Sequence, residues 1–71
     1  MPSLGETIKA LRERRGWSQR DLAAKAMVTE AYIAMIEGGE KRNLSTLVIR
    51  RLERALGTRH GELGKLFQAP E

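Results

Sequence analysis

The side chains able to do chemistry in this sequence are mostly cations. Thirteen Lys and Arg stand against nine Asp and Glu in 71 residues, a net charge of +4, and the pI is near 10.1. Such a balance points to a polyanion as partner rather than to any fold. Catalytic sets are missing. There is no cysteine and a single histidine, His60, so no zinc cluster and no disulfide frame can be drawn. No Ser–His–Asp set and no glycine-rich phosphate loop after a strand is present; no enzyme, metal or cofactor is expected. The aromatics are Trp17, Tyr32 and Phe67, too few for the stacking platform of a single-stranded RNA binder. His60 reads as a surface loop residue. Trp17 reads as a plug at the first corner of the core.

Those cations have to be positioned by helices. Gly16, Gly38-Gly39 and Gly57 cut the chain into helix-sized pieces, and no run alternates with the period of a strand. The first piece spans about Leu4 to Arg15, with Leu4, Ile8 and Leu11 on one stripe and Gly16 as its stop. The second opens on Ser18 as cap, with Asp21 in its first turn and Leu22, Ala23 and Ala26 facing inward. The third opens on Thr29 and turns Ile33 and Ile36 inward. The fourth follows the loop of residues 40–43, with Ser45, Ile49, Leu52 and Leu56 sharing a face and Gly57 closing it. Leu47 falls on the opposite side, between Arg51 and Arg54, and Glu53 is placed on a flank reaching solvent. A weak fifth turn, Gly61 to Phe67, is expected before a frayed tail, Gln68 to Glu71. The expectation is a single all-α domain of four to five helices. A chain this short hides only roughly 60% of its surface, so its core is small.

Only Met27 and Val28 separate the second piece from the cap of the third. So tight a connection, with Ala23 small enough for close approach, is a helix-turn-helix over about residues 18–37. The run Trp17-Ser18-Gln19-Arg20-Asp21-Leu22-Ala23, then Val28-Thr29, Tyr32-Ile33, Ile36-Glu37, Gly39, Asn43-Leu44-Ser45 and Ala55-Leu56-Gly57 resembles the Cro/CI helix-turn-helix family of phage repressors and xenobiotic-response-element proteins. The Asn-Leu-Ser opening of the fourth helix is similar to restriction–modification controllers of that family. The resemblance covers about Leu4 to Phe67. It implies a lambda-repressor-like five-helix domain that binds operator DNA as a homodimer.

The resemblance also implies roles. Gln19 matches the family's phosphate-contacting glutamine, at a helix start whose amides point the same way. Ser18, Arg20, Lys41 and Arg42 join it as phosphate contacts. Glu30, Ala31, Tyr32 and Met35 occupy the base-reading positions: Glu accepts from a cytosine amine, and Ala or Met meets a thymine methyl. Tyr32 either reaches DNA through its hydroxyl or packs its ring inward. Arg12 and Glu37 match a pair that ties the first helix to the end of the third. The family usually has Gly where this chain has Met27, so the turn either carries strain or bends differently.

Leu47, Leu63, Leu66 and Phe67 exceed what a four-helix core needs, and read as a dimer patch. The expected protein is a repressor or controller on a palindromic operator, with RNA polymerase or a cognate toxin as further partners. An antitoxin-type interaction module is the alternative. The longest apolar run, Ala31 to Ile36, is far short of the roughly 20 residues that span a bilayer. With Glu6, Lys9, Arg12 and Glu13 near its start, the chain is expected in the cytoplasm.

Overall fold

The computed structural model describes residues 3–41 and 44–58. It contains α1 (Leu4–Arg14), α2 (Gln19–Ala26), α3 (Glu30–Glu37) and α4 (Thr46–Leu56), and no strand among the described residues. The fifth turn expected at Gly61 to Phe67 lies outside the described residues.

Every helix starts on a hydroxyl that accepts from an amide three residues on: Ser3 from Glu6, Ser18 from Asp21, Thr29 from Tyr32 and Ser45 from Val48. Glu6 and Asp21 reach back to the amides of Ser3 and Ser18, closing two capping boxes. All four helices end on a left-handed residue: Gly16, Met27, Gly39 and Gly57. The next amide then returns to a carbonyl in the last turn: Trp17 to Arg12, Val28 to Ala23, Glu40 to Met35 and Thr58 to Glu53.

The core is Ile8, Leu22, Ala23, Ala26, Ile33, Ile36, Leu44, Ile49, Leu52 and Leu56, with Trp17 and Val28 among the residues packed on it. Trp17 and Leu22, Val28 and Ile33, and Leu44 and Ile49 stand just before each cap and four residues into the helix, the positions a hydrophobic staple uses. α3 packs on α1 and α2, and α2 packs on α4. Gly5 brings α1 onto the end of α3: a Cβ there would land on the carbonyl oxygen of Ile36 and 3.0 Å from the Glu37 Cα.

Two expectations are corrected. Ser45 is not on the inner face of α4; it is the exposed cap, and Leu44 before it is the buried residue. Glu53 does not reach solvent: it is 3% exposed. It stands four residues after buried Ile49, so about 40° from it around the helix. α2 lies against α4, and a position so close to Ile49 falls on the inward half of the helix.

Met27 adopts φ 61, ψ 41, the only non-glycine residue with positive φ among those described. That backbone costs a side chain about 1–2 kcal/mol. At 73% exposure Met27 recovers little by burial. Met27→Gly is therefore expected to stabilise the fold by about 0.5–1 kcal/mol, after the larger entropy of an unfolded glycine is deducted. A urea midpoint that falls would mean the side chain contributes packing here.

The capping boxes set an acid limb. The Ser3 and Ser18 amides, followed by the hydroxyls, hold the Glu6 and Asp21 carboxyls below their ordinary values of 4.5 and 3.8. A carboxyl depressed by folding stabilises fully above its unfolded value, and that contribution fades as pH falls through the folded one. Glu6→Gln with Asp21→Asn should thus lower stability at neutral pH. The loss should shrink steadily below pH 4.5, as followed by thermal melts at stepped pH. A deficit that stays constant in acid would show that the boxes act through geometry and not charge.

Candidate nucleic-acid interface

The turn of Met27 and Val28 sets α3 across α2, so the start of α2 lies beside the end of α3. Glu37, the last residue of α3, is the junction. Arg12 donates from Nε to Glu37 Oε2 at 2.8 Å and from Nη2 to Oε1 at 2.9 Å, and its Nη1 reaches the Trp17 carbonyl at 2.8 Å. The two side chains are 10% and 4% exposed. The bond to Glu37, chiefly, raises the Arg12 pKa above its ordinary value. Gln19 Nε2 donates to the same Oε1 at 3.1 Å, a bond not anticipated from sequence. One amide proton of Gln19 is thereby used, and the second remains to meet an anion. Arg12, buried and with all three of its nitrogens engaged, holds α1, α3 and the α2 entry together.

Around Gln19, Ser18 and Arg20 are exposed. The Ser18 oxygen serves as the cap, which leaves its proton free to donate. Asp21 keeps a negative charge in the same turn, so an anion approaching here is met by amides and Arg20 against one carboxylate.

The outer face of α3 carries Glu30, Ala31, Ala34 and Met35, all exposed. Ala34 was missed from sequence, although it follows Glu30 and Ala31 at helical spacing. The strip is unusually bare, with Ala31, Ala34 and the exposed Gly38 following one another along it. Small residues let a helix backbone come close to a groove floor. Tyr32 is half-buried and packs against the core. Lys41 returns over it, with Nζ 5.9 Å from the ring centre, and its amide donates to the Met35 carbonyl. Lys41, Tyr32 and Met35 thus meet at the far end of α3. Glu30 stands at the opposite end, near Met27. Arg42, Leu63, Leu66 and Phe67 lie outside the described residues. Leu47 is 57% exposed and lines a groove with Lys25, Met27, Arg50, Arg51 and Arg54.

The arrangement is a short helix with a smooth outer face, cations and donors at both flanks, and a buried ionic clamp behind it. Comparison with known proteins agrees: the family model for the helix-turn-helix matches residues 8–63. The chain belongs to that family, in its Cro/CI form. It is similar to proteins named HTH-type transcriptional regulators from Mycobacterium bovis and Mycobacterium tuberculosis, 37% identical over 70 residues, which cover 97% of this chain and 27% of each relative. A further regulator so named, from Sinorhizobium fredii, is 30% identical over 60 residues, 84% of this chain and 77% of the relative. The chain therefore spans about a quarter of the length of the mycobacterial proteins it matches. No helix among the described residues is long and apolar enough to cross a membrane.

Proposed function

We propose that this chain binds double-stranded DNA sequence-specifically as the DNA-reading part of a transcription regulator, a repressor or controller, and does so as a homodimer on a palindromic operator. The observation that carries the reading is the exposed, small-residue strip of α3 flanked by Gln19, Arg20 and Lys41 and locked from behind by Arg12 and Glu37. Backbone phosphates supply most of the affinity, through Ser18, Gln19, Arg20, Lys41 and Arg42. Glu30, Ala31, Tyr32 and Met35 read bases, joined by Ala34. Two-fold pairing through Leu63, Leu66 and Phe67 sets two copies of α3 about 34 Å apart, one DNA turn. Leu47 is left out of that patch because its neighbours are arginines that a second copy would repel. The names of the relatives support the regulatory role.

Random-site selection with the purified chain, then titration of the selected operator and a scrambled duplex over a range of salt, tests this reading. Two chains should bind each operator. Lys41→Ala should weaken both duplexes alike and reduce the salt slope by about 1. Glu30→Ala should leave scrambled DNA bound as well or better, while discrimination at one position per half-site falls by about 1–3 kcal/mol. Selection that yields no enriched sequence would sink specific recognition. Equal weakening of both duplexes by Glu30→Ala would remove Glu30 from the readout.

A further inference from the structure

On the side of the molecule away from the α2 start, the end of α2 and the outer side of α4 enclose a groove of about 590 Å³. Its wall on α4 is Leu47, Arg50, Arg51 and Arg54, spaced three and four apart so that they share one side of the helix. Across it stand Lys25 and Met27 from the end of α2. Met27 and Leu47 are the two most exposed large apolar residues described, at 73% and 57%. The chain also keeps Met27 in a left-handed backbone that glycine would occupy freely. Strain that stability does not require, at a residue turned to solvent, marks a surface with a use.

We propose that this groove docks an acidic, leucine-rich segment of a partner protein. Three arginines rim it, and none of them pairs with a carboxylate among the described residues, where the one ion pair is that of Arg12 with Glu37. Lys25 adds a fourth cation at the far rim, its ammonium leaning 4.7 Å from the Trp17 ring. The remaining carboxylate of the lining, Glu53, is buried in the wall and already engaged. The groove thus offers positive charge around two apolar contacts, and its complement is a segment with carboxylates flanking one or two aliphatic side chains.

The other occupants fit less well. A phosphate backbone would satisfy the arginines but has nothing apolar to set against Met27 and Leu47. The groove is also at the opposite end of α2 from Ser18 and Gln19, about 12 Å along the eight-residue helix. A second copy related by a two-fold axis through the groove would bring two sets of the same four cations together.

The test uses the full chain and three fluorescent probes: a peptide of alternating Glu and Leu, its counterpart with Gln for every Glu, and a random-sequence duplex. The acidic peptide should bind, its Gln counterpart about tenfold more weakly or worse, and saturating duplex should not displace it. Arg51→Gln with Arg54→Gln should cost the peptide about tenfold while duplex affinity stays within about twofold, and Lys41→Ala should do the reverse. Met27→Gly should weaken the peptide by about threefold or more although the fold becomes more stable, a combination that a structural role for Met27 would not produce. Equal binding of the Glu and Gln peptides overturns the proposal. So does displacement by duplex together with a loss of duplex affinity in the arginine variant, which would make the groove an extension of the phosphate track. Loss of self-association in that variant, seen by sedimentation, would instead make the groove a contact between copies.

Discussion

Gly5→Ala is expected to destabilise the fold by about 2 kcal/mol. Two effects oppose each other. Gly5 lies in the first turn of α1, where alanine is favoured over glycine by at most about 1 kcal/mol. Against this, a Cβ at Gly5 would overlap the Ile36 carbonyl oxygen and crowd the Glu37 backbone. Neither obstacle is a side chain that can turn aside, so α1 must back away from α3. Overpacking of this kind costs about 1–3 kcal/mol, and contact with backbone places it at the upper end. A domain of this size has roughly 4–10 kcal/mol to lose. Gly16→Ala is the comparison, since Gly16, unlike Gly5, needs positive φ and has open space around it; it should cost about 1 kcal/mol. Urea unfolding of both variants decides the matter. A stabilised Gly5→Ala would mean that the α1–α3 approach is looser than the structure shows.

The same glycine shows what a sequence reader can and cannot see. Helix periods and ends were legible because they are local. Ser18 and Thr29 announced their helices through side chains that cap an amide three residues away, and Gly16 and Gly57 announced the stops through φ. Met27 was legible as an anomaly, and it takes the left-handed backbone that a glycine would have taken. Gly5, by contrast, is unremarkable in its own helix. Its role depends on a carbonyl 31 residues later in the chain, a distance no local rule reaches. Ser45 is misplaced by extending the helical wheel over the cap, when the apolar residue before the cap, Leu44, is the one that turns inward. Glu53 is expected on a flank reaching solvent, although its spacing from Ile49 keeps it on the inward half of α4, where it is 3% exposed. At the candidate interface the residue types on α3 are legible, Ala31 among them; Ala34 falls outside the base-reading positions that the resemblance implies, although it follows Glu30 and Ala31 at helical spacing. The bond from Gln19 to Glu37 was invisible, because it joins two helices whose crossing the sequence implied but did not dimension.

Glu37→Ala is expected to be the most costly polar substitution, at about 3 kcal/mol or more. Truncation takes the acceptor from Nε and Nη2 of Arg12 and from Gln19, and leaves a guanidinium 10% exposed with only the Trp17 carbonyl to receive it. Removing one partner of a buried pair costs about 3–5 kcal/mol, chiefly the charge left behind. Arg12→Met with Glu37→Leu, which removes both charges and retains volume, should recover most of that loss, because the pair itself was desolvated at a comparable expense. Stability alone would not separate a clamp from a part of the DNA site. The double variant does: folded but without Glu37, it leaves Gln19 Nε2 unheld. Its affinity for the selected operator should then fall by about three- to tenfold, while Gln19→Ala in the same background should add no further loss. If the double variant binds as wild type does, the Glu37 carboxylate holds the helices together but does not aim Gln19. If Glu37→Ala leaves the urea midpoint unchanged, the clamp contributes nothing to the fold and the three bonds at Glu37 are solvated contacts.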